Sequence, residues 1–232
     1  MAVTIDNTSI TYYDSSNQTT ALTASSSRGT LVGMNVYMSS GSYTWTKPSG
    51  CTYVIVKMVG GGGGGCGYCE SGGAGGYAEG TYDVSGVGTV AVTVGGGGGG
   101  TGYYQAANDG GTTSFGGYIS ASGGYGANRN YSHSGGHGGV GSSGQVNLYG
   151  AAGIGHCNSV GSHTGGIGGA SYFGGGGIMV RNHGHLSSAY MGKMRSGAPG
   201  SGGPGAQSDG SNTGGNGFAP GQDGIVVVYS YS

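Results

Sequence analysis

Glycine occupies 63 of the 232 positions of this chain. Each glycine in a helix interior costs about 1 kcal/mol relative to alanine, so an ordinary helical or α/β enzyme is excluded. Leu, Ile, Val and Phe together number 33, too few for a conventional apolar core. Collagen, the familiar glycine-rich fold, needs Gly at every third place throughout and abundant proline. Only four prolines are present. Seven basic and eight acidic residues leave a net charge of -1, so self-repulsion does not expand the chain. Nor is there an excess of Lys and Arg for nucleic-acid phosphates or anionic lipid. With 18 tyrosines, the surface is expected to be neutral, polar and aromatic.

Strand signals are short and spread out. Residues 3–13 alternate as VTIDNTSITYY and read as a short strand, followed by a polar Ser/Thr-rich linker. This stretch sets residues 1–40 apart from the glycine-rich residues 41–232. YTWTKPSG (43–50) and YVIVKMV (53–59) are β-rich runs around a Pro-Ser-Gly turn and read as a hairpin. GYAEGTYDV (76–84), TVAVTV (89–94), TTSFGGYISAS (112–122) and IVVVYSY (225–231) are further strands. No segment reads as a helix longer than one or two turns. The last strand and the YVIVKMV run are expected to pair into one small β-layer, packed by Tyr53, Tyr77, Tyr82 and Tyr229. Residues 95–224 would then be an insertion on that platform.

Within the insertion the glycines recur by three: Gly135, Gly138, Gly141 and Gly144; Gly165 and Gly168; Gly174 and Gly177; Gly197, Gly200 and Gly203. Three is the repeat of a polyproline-II-like helix, which has no internal hydrogen bonds. Several such helices side by side can bond N–H to C=O between neighbours if glycine lets the backbones approach. Glycine is then the core residue. At a net ~1 kcal/mol each, these bonds replace missing apolar burial. The expected fold is all-β: a small β-sheet or sandwich platform carrying glycine-rich, polyglycine II-like helices and loops, without substantial α-helix.

Chemistry-bearing motifs are sparse. With this much glycine, GxGxxG arises by chance, and no strand-turn-helix context accompanies it. Gly192-Lys193 is followed by Met194, which excludes a phosphate-cradling loop. The carboxylates are scattered, and no GxSxG elbow joins a strand to a helix. An enzyme is not expected, nor a cofactor. Cys66-Gly-Tyr-Cys69 has half-site spacing without a second CxxC and reads as loop cysteines, free or mutually bonded. The residues after Met1 lack the basic and apolar regions of a secretory leader, and the apolar runs are too short to cross a bilayer.

NVYMSSGSYTWTKPSGCTYVIVKMVGGGGGG, then GGAGGYAEGTYDV, TVAVTVGGGGGGTG, GGTTSFG, ISASGG and the terminal GIVVVYSY, resembles the glycine-rich domain of bacteriophage tail-fibre and receptor-binding proteins over roughly residues 35–232. ITYYDSSNQTTALTA resembles the attachment segments that open many phage fibre proteins, cyanophage ones included. The resemblance implies a virion protein made in the host cytoplasm. Residues 1–40 would dock to other tail or fibre proteins, and residues 41–232 would bind a host surface glycan or outer-membrane protein. It also implies polyglycine II helices with variable loops at the distal edge. A fibre end must match its shaft, so a homotrimer is expected. An ice-binding or purely structural glycine-rich protein is the alternative.

Binding is expected in the irregular stretches between the glycine blocks, where Tyr combines contact area with a hydroxyl. The candidates are Tyr103, Tyr104, Tyr125, Tyr131, Tyr149 and Tyr190, with Phe218 beside them. Residues 178–196 form the longest interruption and add Arg181, His183, His185 and Arg195, suited to acidic groups of a glycan. His183 and His185 share one face of an extended chain. Around a threefold axis, three such pairs could hold a transition-metal ion. Surface histidines of a recognition loop are the first reading.

Overall fold

A computed structural model describes residues 29–66, 70–101, 105–128, 135–155, 166–178, 196–205 and 219–232, together with three two-residue strands nearer the N-terminus. Those three, β1 (Thr4–Ile5), β2 (Ile10–Thr11) and β3 (Asn17–Gln18), form their own antiparallel sheet. The alternating 3–13 segment is therefore a pair of strands and not one. The rest of the described chain is all-β, without α-helix, and has two parts: a sandwich and a bundle of glycine-rich rods.

The sandwich strands are β4 (Leu31–Tyr37), β5 (Gly41–Thr46), β6 (Tyr53–Val59), β7 (Tyr77–Asp83), β8 (Thr89–Val94), β9 (Thr113–Phe115), β10 (Ile119–Ala121), β11 (Gly141–Ser142), β12 (Val146–Leu148) and β13 (Ile225–Tyr231). They make two antiparallel sheets, ordered β12-β7-β6-β13-β4 and β11-β10-β9-β8-β5. The expected pairing of the C-terminal strand with the YVIVKMV run is present, from Ile225 opposite Val59 to Tyr231 opposite Tyr53. Alternation supplies the core between the sheets. Val54, Val56 and Met58 of β6, Val90, Val92 and Val94 of β8, and Val226 and Val228 of β13 meet there with Trp45, Phe115 and Ile119. Trp45 and Phe115 pack edge to face with centroids 5.7 Å apart.

Three expectations need correction. Residues 43–50 and 53–59 do not form a hairpin: β5 pairs with β8, whereas β6 lies between β7 and β13 in the opposite sheet. Every position of β6 except Lys57 is apolar, which suits a central strand. β5 has Trp45 as its buried residue and lies at an edge. Second, one β-layer becomes two sheets, because the supposed insertion contributes β9 to β12; residues 112–122 form a hairpin, and Gly141 belongs to β11 and not to a rod. Third, the irregular stretches between the glycine blocks are not wholly loops, since 105–109 and 150–155 run as rods and Val146–Leu148 is strand. Leu31–Tyr37 pairs with β13, so the change in composition at residue 40 falls beyond a strand already inside the sheet.

Where the strands run out of side chains, the backbone turns from a two-fold into a three-fold repeat. Residues 60–65 donate their N–H groups in rotation. Gly60 and Gly63 bond to Gly76 and Gly73, Gly61 and Gly64 to Gly111 and Asn108, and Gly62 and Gly65 to Gln222 and Ala219. Their carbonyls accept from three other segments, through Gly124 and Ala127, Gly98 and Thr101, and Gly203. This is the expected polyglycine II arrangement, a central rod surrounded by six others. Segment 70–76 repeats the pattern: Gly72 and Gly75 donate to Gly203 and Gly200, Gly73 and Gly76 to Tyr125 and Ser122. At every glycine from Gly60 to Gly65 a neighbouring carbonyl oxygen stands where a Cβ would be.

Side chains peg the rods at a few places. The Asp223 carboxylate accepts from the N–H groups of Gly97 and Ser40, each at 2.9 Å. The Thr113 hydroxyl accepts from Gly95 N–H at 3.0 Å. Burial alone would push the Asp223 carboxyl up; the two N–H donors outweigh it and hold the group below its ordinary range.

Two outcomes follow. A Cβ at Gly138 would overlap the Gly150 carbonyl, and one at Gly168 the Gly202 carbonyl. Gly138→Ala and Gly168→Ala should each cost about 2 kcal/mol or more in denaturant unfolding. Gly86→Ala, with nothing within 4 Å, should stay within ~0.5 kcal/mol. Asp223 has a folded pKa below its unfolded value, so its contribution is present above the unfolded pKa of ~3.9 and lost as pH falls through the folded one. Asp223→Asn should therefore lower the melting temperature at neutral pH, with the gap to wild type closing in acid.

Candidate binding surface

The rods run back and forth in a fixed sense. Residues 60–66 leave β6 and 70–76 return into β7. In the same way 95–101 leave β8 and 105–112 enter β9, 122–128 leave β10 and 135–140 enter β11, and 219–224 return into β13. Hydrogen bonds tie the far ends to one another. Cys66 N–H donates to the Glu70 carbonyl, Thr101 N–H to Gly65, Ala107 N–H to Ala127, Gly153 N–H to Gly136 and Gly166 N–H to Gly205. The Ser71 hydroxyl, buried, accepts from Gly205 N–H at 2.9 Å, and the Thr101 hydroxyl donates to the Gln105 carbonyl. Residues 66 and 70, 101 and 105, 128 and 135, 155 and 166, and 205 and 219 thus all lie at the end of the bundle opposite the sandwich.

On this flank the rods carrying 105–111, 122–128 and 135–140 enclose an open groove of about 540 Å³, lined by Ala106–Asp109, Tyr125, Gly126, Asn128 and Gly135–His137. That volume falls in the range of small-molecule sites, ~300–1,000 Å³. Asp109 Oδ1 accepts from the buried Gly126 N–H at 2.8 Å, fixing one wall. Tyr125 N–H donates to the His137 carbonyl at 2.9 Å, fixing the other. Their side chains stay outside the bundle, and Tyr125 is 55% exposed. An aromatic ring, an imidazole, a carboxylate and two carboxamides (Asn108, Asn128) thus share one groove, a set that can stack on an apolar ring face and exchange hydrogen bonds with hydroxyls.

Farther around the same end, Ile154, Ile167 and Ile178 lie side by side on three adjacent rods, paired Ile154 to Ile167 and Ile167 to Ile178, and all three are exposed. In a chain this poor in aliphatic residues, spending three on the surface in one row makes that row part of the candidate surface.

Of the residues singled out from the sequence, Tyr125 lies in the groove. Tyr149 is exposed but pairs with Val140 beside β12, at the sandwich end of its rod, away from the groove. Tyr103, Tyr104, Tyr131, Arg181, His183, His185, Tyr190, Arg195 and Phe218 lie outside the described residues, so the histidine pair and its metal are not placed. Among the described residues no three His, Cys, Asp or Glu side chains cluster as metal ligands. Cys66 is buried, its thiol 3.6 Å from Glu70 Oε2, at the end of a rod and not in a loop; Cys51 is buried in the sandwich. Sequence reasoning missed Asp109, His137 and the isoleucine row. Their signal was position: Asp109 and Ile178 flank glycine blocks, and His137 and Ile167 interrupt them.

A family model described as a glycine-rich domain matches residues 38–231. No curated protein matches the chain.

If Asp109 fixes the groove wall, Asp109→Ala leaves a buried N–H unsatisfied, at about 1 kcal/mol or more. Amide exchange at Gly126 should then quicken several-fold, while Gly61 and Gly64, in the central rod, keep their protection. Unchanged exchange at Gly126 would remove Asp109 from this role.

Proposed function

The chain belongs to the glycine-rich domain family, and from that premise we propose that it is a bacteriophage tail-fibre or fibre-tip protein, homotrimeric and non-enzymatic, that binds a host surface receptor. The observation that supports this reading is the groove lined by Asp109, Tyr125 and His137 near the end of the hydrogen-bonded bundle opposite the sandwich. A rigid hydrogen-bonded scaffold that presents side chains at one end suits recognition. The groove chemistry suits a sugar ring, and the basic residues of 178–196 suit acidic groups on the same receptor. Attachment to the particle falls to residues 1–40.

Ice binding is the second reading, favoured by the row Ile154, Ile167 and Ile178 on parallel-lying rods. Thermal hysteresis in the purified protein would support it and remove the adhesin.

For the leading reading, purified protein should block adsorption of the parent phage to its host. Tyr125→Ala with His137→Ala should weaken that competition at least tenfold, and so should Arg181→Ala, Tyr190→Ala and Arg195→Ala combined. Tyr125 and His137 are exposed, and substitutions at such positions change stability by under ~0.5 kcal/mol each, so the melting temperature of that variant should stay within a few degrees. Full competition by both variant proteins would sink the reading.

A further inference from the structure

The outward face of the β4-β13-β6 part of the sandwich has the composition of an interior. A sheet facing water alternates apolar and polar residues, whereas strands buried on both faces read as continuous apolar runs. β6 (YVIVKMV) and β13 (IVVVYSY) are of the second kind. The register sets their outward side chains in rows with those of β4: Leu31, Tyr231 and Tyr53; Met34, Tyr229 and Ile55; Val36, Val227 and Lys57. Near the rods this face is covered. Tyr172 stacks on Tyr77 at 3.7 Å with Phe173 beside it, and Val59, Ile225 and Val227 are buried. Along the edge strand it is open from one end to the other: Leu31 is 52%, Met34 58%, Val36 45% and Met38 58% exposed.

β4 is also an edge. It pairs with β13 alone, runs seven residues, and carries neither charge nor proline. Solvated edges are ordinarily guarded by such residues or by a covering segment, because a bare edge recruits another strand. Among the described residues the one cation on the face, Lys57, is held 3.2 Å from Glu79. Glu79 in turn accepts from the Tyr77 hydroxyl at 2.5 Å, and that bond, with Lys57 behind it, holds the carboxyl below its ordinary range.

We infer that this face, from β4 and the Met38 that follows it across Tyr229 and Tyr231 to Tyr53 and Ile55, is where copies of this chain associate. The occupant follows from charge and area. The face carries its single ion pair internally, so it offers no net charge to a charged partner and does not repel its own copy. Leu31, Met34, Val36 and Met38, each about half exposed, with the partly exposed Tyr53, Ile55, Tyr229 and Tyr231 beside them, make an apolar patch of the order of the ~65% apolar share of the ~800 Å² that each partner contributes to a stable interface. The inference rests on the homo-oligomeric part of the reading above and not on its receptor part.

Sedimentation velocity of the full-length chain tests it without any host. Wild type should sediment as an oligomer at micromolar concentration. Met34→Lys with Val36→Lys should weaken association by on the order of 100-fold and give a folded monomer. Thr44→Lys, on the outward face of the other sheet, should leave the mass unchanged. Should the double variant not fold, amide exchange of the wild type decides: residues 31–38, 53–55 and 229–231 should gain protection as concentration rises. A wild-type monomer, or a folded double variant that stays oligomeric, overturns the inference. So does protection of 31–38 that is the same at every concentration, which would assign the cover to residues 1–28 of the same chain. Loss of host competition without change in mass would count against the receptor reading alone.

Discussion

The absence of a Cβ is the constraint on which the structure depends. An extended backbone must find partners for every N–H and C=O, and a strand finds them in two directions because its side chains occupy the others. Remove the side chains and the chain can turn by a third of a revolution per residue, so successive N–H groups of 60–65 reach three neighbours and the carbonyls are reached from three more. Each bond contributes only a net ~1 kcal/mol, and glycine loses more conformational freedom on ordering than any other residue. The bundle is therefore stable only as a set, with nearly every group bonded, and a single methyl between rods disturbs bonds along two of them.

A run of identical glycines carries no register. Sliding one rod past another by three residues restores the same hydrogen bonds, so something else must choose the alignment. The sandwich does this. Val54, Val56 and Met58 fix β6 in the core, and β6 continues into 60–66; Val226 and Val228 do the same for 219–224, as Val90, Val92 and Val94 do for 95–101. Polar pegs refine the choice, with Asp223 receiving Gly97, Thr113 receiving Gly95, Asp109 receiving Gly126 and Ser71 receiving Gly205. The scarce aliphatic residues are concentrated where they set register, and glycine is used where only close approach is required.

This division of labour separates the two ends of the molecule. The sandwich end has an apolar outward face and a bare edge strand, features of a surface that meets protein. The rod end has a groove in which the exposed Tyr125 and His137 side chains stand outside the bundle, whereas Asp109 also holds the Gly126 N–H. Binding can therefore diversify at one end while assembly at the other stays constant, which is the arrangement that the proposed fibre-tip role requires.

The all-β class, the pairing of the C-terminal strand with 53–59, and glycine as the packing residue of three-fold rods were legible in the sequence, because each follows from local stereochemistry: alternation of Val and Tyr for strands, and spacing by three for rods. The partner of β5 was not legible, since the Pro48-Ser49-Gly50 turn serves a hairpin and a crossover between sheets equally well; the burial of Trp45 against Phe115 chose the crossover. Of the site, Tyr125 could be read as an aromatic beside a glycine block. Its grouping with Asp109 and His137 could not, because these residues share a groove only through the rotation of hydrogen bonds among rods, and a glycine run is silent about which rods are neighbours. Composition thus determined the kind of contact that holds this protein together. The alignment of the strands decided which contacts are made, since only their side chains distinguish one register from the next.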